Sequence, residues 1–289
     1  MSPTPTLFPR LHLFEIEDQP WCPPFLRVHS HTALRRMWST SNTALGTPAS
    51  QACHLLLSLL SGPRIASTFT FIDACAGSGG PTPLLEREMN LTLREAGYKP
   101  VKFVLTDLWP DIEAWEGIKA GSEHVDFVRE PVDAMEGKRI TGEEGRECRV
   151  FNLCFHHFRD EEGGRVLRGA VEGGEAFMIF EMTHRTLPSL LNTTIVILSC
   201  LLTTVVDYWW SPMHLVFTYL IPVVPLFYMV DGYVSCTRGR TAEETWALLR
   251  KQTDLDLDDW ELSSGEQTAL WPFGRLYWYG GVKKSVKYS

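Results

Sequence analysis

Two short stretches of this 289-residue chain combine side-chain types and spacings that can do chemistry. The first is Asp73-Ala74-Cys75-Ala76-Gly77-Ser78-Gly79-Gly80, an acidic residue followed by a glycine-rich turn. Glycine lets the chain reverse sharply and lets a ligand approach the main chain closely. A helix after such a turn offers free N–H groups and a positive dipole end to a polar ligand. The spacing is not the GxGxxG of a dinucleotide fingerprint, because Thr82 holds the sixth position between Pro81 and Pro83. No P-loop lysine follows, so triphosphate hydrolysis is not indicated. The second stretch is Phe151-Asn152-Leu153-Cys154-Phe155-His156-His157-Phe158. A histidine titrating near its ordinary pKa of ~6.5 can take a proton from a hydroxyl, which makes His156 and His157 candidate general bases. Together with Cys148 and Cys154 they do not read as a zinc site. Cys154 and His156 would share a strand face, but Cys148 precedes the strand. No metal is expected.

Both stretches need a scaffold. Phe69 to Asp73 reads as a short apolar strand running into the glycine turn, Pro83 to Ala96 as a helix, and Val101 to Asp107 as a second strand. Strand, glycine turn, helix and strand in that order make a parallel-sheet unit. Further strands fit Val125 to Val128, Arg149 to Phe155 and Ala176 to Glu181, so the fold class is α/β. His156 and His157 then sit at the carboxyl end of a strand, where open α/β sheets bind ligands. Upstream, the leucine-rich stretch from Thr43 to Leu60 reads as a helix ending at Ser61-Gly62-Pro63.

Composition narrows the class. Hydrophobic residues are 44% and charged residues 21% of the chain, which excludes a disordered protein. Lys plus Arg number 27 against 35 Asp plus Glu, a net charge of -8 with no basic run. A general nucleic-acid binder needs clustered cations, so no nucleic-acid partner is expected. The seven cysteines are scattered without a CxxC pair, which fits a reducing compartment. The opening residues lack a charged-then-apolar secretory pattern, which places the catalytic body in the cytosol.

One segment departs from this soluble pattern. Thr186 to Val206 gives 21 residues without Asp, Glu, Lys or Arg, and Tyr208 to Val230 gives 23 more after Asp207. A helical bilayer span takes ~20 apolar residues, so a membrane hairpin fits the length. Tyr208, Trp209 and Trp210 stand at the join, as interfacial aromatics do. Pro212, Pro222, Pro225 and His214 weigh against a clean second span. The competing readings are a lid over an apolar pocket, in a soluble cytoplasmic protein, or a dimer interface.

The glycine turn with its preceding acidic residue resembles motif I of the class I S-adenosylmethionine-dependent methyltransferases. The resemblance implies a Rossmann-like sheet with S-adenosylmethionine over Asp73, Ala74, Cys75, Gly77 and Gly79. It also implies that Asp107, beside Leu108, takes both ribose hydroxyls, a role a carboxylate's acceptor pair suits. Asp133 with Ala134 matches the family's adenine-side motif better than Asp126 does. Asn152 begins a segment similar to motif IV, and Glu181 stands where the fifth strand should end. The chain also resembles a bacterial and fungal subgroup with an apolar stretch after that strand. Phe14 to Asp18, Trp21 to Pro24, Val230 to Arg238 and Thr241 to Glu244 carry that likeness. Asp231-Gly232 reads locally as a turn, and Asp259 to Leu262 with Arg275 to Gly280 as the last strand pair.

The expected organisation is an N-terminal helical cap (1–64), a cofactor-binding α/β core (65–185), the apolar insertion (186–230) and a C-terminal completion of the sheet (231–289). The expected activity is O-methylation of a small lipophilic acceptor, such as a polyketide or other secondary metabolite, at a membrane. The rivals are a nicotinamide-dependent oxidoreductase and a non-catalytic membrane-anchored scaffold.

Overall fold

Phe69-Thr70-Phe71-Ile72-Asp73-Ala74 is apolar on both faces, as a strand covered on both sides must be, and five of its six residues are buried. In the computed structural model, which describes residues 5–41, 43–142 and 145–287, it is the middle one of the five parallel strands. The outermost residues of the 1–64 and 231–289 segments lie outside that description.

The first half of the chain forms α1 (Pro24–Ser39), α2 (Pro48–Leu59), α3 (Pro63–Ala66), β1 (Phe69–Ala74), α4 (Thr82–Glu95), β2 (Phe103–Thr106), α5 (Ile112–Gly121) and β3 (Val125–Phe127). β4 (Arg146–Asn152), α6 (Asp160–Gly173) and β5 (Ala176–Glu181) follow. Then come α7 (Leu187–Asp207), α8 (Pro212–Leu215), α9 (Val223–Arg238), α10 (Ala242–Arg250), β6 (Trp260–Leu270), β7 (Gly274–Lys283) and α11 (Lys284–Lys287). Local chemistry sets several starts. The Thr47 hydroxyl accepts the Ser50 N–H ahead of Pro48, and Thr241 and Glu244 form a capping box on α10.

The seven strands lie in the order β3-β2-β1-β4-β5-β7-β6. β1 to β5 pair in parallel, and β7 runs antiparallel between β5 and β6. This is a Rossmann-like α/β sheet, the fold class that the sequence predicts. Its strand order reverses between β1 and β4, the switch point at which such sheets hold ligands. Alternate side chains feed two cores. Met178 and Phe180 join α2 and α4 on one face, while Phe177 and Ile179 join α6 and α10 on the other.

A third, smaller core of Cys22, Leu26, Cys200, Val224 and Phe227 fastens α1 to the insertion. α7 is long and apolar enough to cross a membrane by length and composition. The second apolar stretch is broken: Pro212–Leu220 and Val223–Arg238 meet at 73°. Both ends of α7 are tied down. Thr186 and Ser189 hydroxyls lie 2.9 and 3.2 Å from the Tyr277 hydroxyl of β7. At the other end Asp207 pairs with Arg36 of α1, and the Tyr208 hydroxyl donates to Thr32 at 2.8 Å.

Two local expectations are corrected. β4 ends at Asn152, and Leu153 turns the chain with a φ of 55°, so Phe155–His157 form a 3-10 turn. His156 therefore shares no strand face with Cys154. Asp231-Gly232 lies inside α9 rather than in a turn, because the Asp231 carboxylate is engaged elsewhere.

Candidate functional site

The glycine turn links β1 to α4. Gly77, Gly79 and Gly80 have φ of 52°, 97° and 41°, the left-handed region that side chains disfavour. A Cβ on Gly77 or Gly80 would meet nothing within 4 Å, whereas one on Gly79 would run into Ile118. The turn is pinned from several sides. Cys75 and Ala76 donate to the Thr106 carbonyl at 3.0 Å, and the Trp115 indole donates to the Gly77 carbonyl at 2.8 Å.

Asp107 follows β2 and faces that turn. Its Oδ2 accepts the Gly77 N–H at 2.9 Å, and its Oδ1 accepts the Trp109 N–H at 2.8 Å. The Asp107 carbonyl accepts the Val132 N–H at 2.9 Å, which brings Asp133 and the buried Ala134 alongside. Asp133 caps its own loop, accepting the Met135 N–H at 2.9 Å. Leu108 and Trp109 project into solvent just beyond.

Asp73 is buried and bridges the switch point. Its carboxylate accepts the Thr82 hydroxyl from α4, and the Asn152 amide from the end of β4 at 3.2 Å. Burial pushes its carboxyl up to about 7, with nearby Asp107 adding to the rise and the Thr82 and Asn152 bonds opposing it. The Asn152 Oδ1 is buried without a hydrogen-bond partner. Ala74 packs on the α6 side, and its carbonyl lies 3.7 Å from the Cys154 sulfur.

The two histidines, 4.2 Å apart between ring centroids, have different partners. His156 is buried, with Nδ1 2.8 Å from Glu181 Oε2. His157 Nδ1 lies 2.8 Å from Asp18 and 3.1 Å from Glu15, both from the N-terminal segment. Burial depresses the His157 pKa, but the bonds to Asp18 and Glu15 outweigh it and hold the ring well above the ordinary histidine range. Reciprocally, Glu15 and Asp18 fall below the usual carboxylate range, since His157 and Arg238 overcome the burial that raises them. Glu15, His156 and His157 each bring one potential metal-ligand atom within 4.8 Å of the others. Arg238 Nη1 stands 2.8 Å from both Glu15 and Asp18, so a guanidinium already supplies the balancing positive charge.

A cavity of about 410 Å³ opens beside these groups, within the range that holds small molecules. Leu34 and Met37 of α1, Ile195 and Val196 of α7 and Phe227 of α9 line its apolar walls. Leu153 and Met182, just past β4 and β5, form its sheet side, and Glu15, Glu17, His156, His157 and Asp231 its polar end. A relay of contacts joins it to the glycine turn. Glu17 lies 3.2 Å from His31, whose other ring nitrogen is 2.9 Å from the Ser78 hydroxyl.

The geometry adds Glu15, Asp18, Glu181 and Arg238, residues not singled out as functional from sequence. Glu15, Asp18 and Arg238 lie inside segments that carried the subgroup likeness, and Glu181 ends the expected fifth strand; those were the available signals.

No family model matches the sequence, and no curated protein matches it. Among solved structures, the fold is similar to an O-methyltransferase family protein from Burkholderia thailandensis at 15% identity and TM-score 0.43, over 81% of this chain and 57% of that one. It is similar to a SAM-dependent methyltransferase from Anabaena variabilis at 15% identity and TM-score 0.42, over 88% of this chain and 95% of that one. It is also similar to the CMeT domain of the citrinin polyketide synthase at 14% identity and TM-score 0.49, over 93% of this chain and 59% of that one. The chain thus spans a little over half the length of the first and last of these structures, and nearly all of the second.

Proposed function

We propose that the chain is an S-adenosylmethionine-dependent methyltransferase that O-methylates a small lipophilic acceptor. One observation carries the reading. The glycine turn and the cavity adjoin at the switch point, with Asn152 holding Asp73 on one side while the next residue, Leu153, lines the cavity on the other.

The residues present fit the cofactor. The open space over Gly77 and Gly80 leaves room for a ligand against the main chain. Each Asp107 oxygen holds one N–H and keeps a lone pair for a ribose hydroxyl. The partnerless Asn152 Oδ1 beside Asp73 suits an ammonium donor. Asp133 and Ala134 flank the adenine side, with Leu108 next to Asp107. When bound, the cofactor supplies an electrophilic methyl group.

The chain's own work is to position the acceptor and to take its proton. Glu181 accepts the Nδ1 proton of His156, which leaves Nε2 as a lone-pair acceptor for a hydroxyl in the cavity. Glu181 then offsets the charge of the imidazolium that forms. His157, held cationic by Glu15 and Asp18, is not the base in this reading; it anchors the N-terminal segment over the cavity. The apolar walls select a lipophilic acceptor, of the secondary-metabolite or lipid kind, and membrane association through 186–230 brings the protein to it, with the catalytic body in the cytosol.

Calorimetric titration with S-adenosylhomocysteine, with NADH in parallel, tests this. Binding of the first alone is expected. Binding of NADH alone would move the assignment to an oxidoreductase, and binding of neither by folded protein to a silent scaffold.

A further inference from the structure

The insertion has two sides, and only one is used by the cavity. Of the most apolar window of α7, 22% is buried. Leu202 and Leu220 are 75% and 77% exposed, and Trp209 and Trp210 at the join are 70% and 63% exposed. Solvent-facing apolar surface of this extent calls for a partner.

Crossing a bilayer does not suit this geometry. A span must place its two ends on opposite sides of ~30 Å of hydrocarbon. Here one end of α7 is bonded to β7 and the other to α1 of the same folded body. Between them Thr194 lies 2.8 Å from the Tyr233 hydroxyl of α9, and Thr204 2.8 Å from His29 of α1. Insertion would strip these contacts or carry charged residues of the body into lipid, which costs several kcal/mol for each charge.

The rim identifies the partner. Arg35, exposed on α1, donates to the Thr32 hydroxyl that also accepts from Tyr208, so a cation stands beside the tryptophan pair. This one exposed arginine stands at the join although the whole chain carries a net charge of -8, and the neighbouring Arg36 is paired with Asp207. Apolar side chains, interfacial indoles and flanking arginine together match an anionic lipid surface. We infer that the outer side of the α7–α9 insertion docks on an anionic bilayer and lies on it without crossing. The inner sides of α7 and α9 line the cavity, so a lipophilic acceptor reaches it from the bilayer along the same helices. That last step rests on the methyltransferase reading; the docking does not.

The full-length chain is sedimented with phosphatidylcholine vesicles, with and without phosphatidylglycerol. Binding is expected chiefly to the phosphatidylglycerol vesicles, with release by alkaline carbonate. Trp209→Ser with Trp210→Ser should lower partitioning by about tenfold or more, and Arg35→Glu should weaken the anionic preference severalfold. Circular dichroism checks that each variant is folded. Carbonate-resistant binding would overturn the inference in favour of a span. A dimer in analytical ultracentrifugation with no vesicle binding would overturn it in favour of a second copy. Binding unchanged in both variants, or absent in folded protein, would also overturn it. Vesicle binding by a protein that ignores S-adenosylhomocysteine would sink the methyltransferase reading and leave the docking intact.

Discussion

His156 and Glu181 meet twice: the His156 main-chain N–H donates to Oε1 at 3.0 Å, and Nδ1 stands 2.8 Å from Oε2. Fixing both backbone and ring leaves one orientation for the imidazole. His156→Ala should lower kcat by ~10²–10⁴-fold while S-adenosylhomocysteine affinity holds, the range for losing a positioned base. Glu181→Gln should lower kcat less, since the ring stays but loses part of the hold that orients it. Full turnover in His156→Ala would remove the base assignment.

Asp107 is expected to carry cofactor affinity. Asp107→Ala removes a charged acceptor for two hydroxyls, each such bond being worth ~1.5–3 kcal/mol. Calorimetry should show S-adenosylhomocysteine binding weakened by at least ~10-fold, with circular dichroism unchanged. Undiminished affinity would reject the ribose role.

The N-terminal segment should be held most firmly over a bounded pH window. The folded-state pKa of His157 is raised, so its contribution is complete below the unfolded value of ~6.5 and is lost as pH climbs through the higher folded value. Asp18 and Glu15 are lowered, so theirs is complete above the unfolded values near ~4 and is lost as pH falls through the folded ones. Hydrogen exchange across residues 5–22, corrected for intrinsic rates, should show greatest protection between these limits. Protection that ignores pH would contradict the ionic fastening.

Arg238 is buried, and its guanidinium serves Glu15, Asp18 and the Leu13 carbonyl. Arg238→Ala would leave the buried Glu15 carboxylate short of a counter-charge, a loss of ~3–5 kcal/mol by analogy with broken buried pairs. Denaturant unfolding measures this directly; a loss below ~1 kcal/mol would show that water replaces the guanidinium.

Gly79 tests the turn itself. At a φ of 97°, Gly79→Ala puts a Cβ against Ile118 in a disfavoured backbone region. A loss of more than ~1 kcal/mol is expected in the same assay, together with weaker S-adenosylhomocysteine binding.

The sheet and the glycine turn were legible because their signals are local: apolar runs of strand length, and three glycines within four positions where the backbone needs positive φ. The end of β4 was misplaced because Leu153-Cys154-Phe155 stays apolar after the strand stops, and hydrophobicity does not register the Leu153 reversal. Asp231-Gly232 looked like a turn pair. Its carboxylate instead accepts the N–H groups of Ile16 and Glu17 at 2.7 and 2.8 Å, a use that only the distant segment reveals. The charge cluster was hidden for the same reason, since Asp18 and Arg238 are 220 positions apart.

Residues 5–22 clasp α9 at Arg238 and Asp231, while the strands that shape the glycine turn lie between these two segments in sequence. The cavity is therefore walled in part by a two-piece cartridge whose clasped residues, Asp18 and Arg238, stand 220 positions apart. Sequence drift that alters α9 must be answered in the first two dozen residues, or unmatched carboxylates are left behind. A graft of the insertion into another scaffold succeeds only when its N-terminal counterpart travels with it.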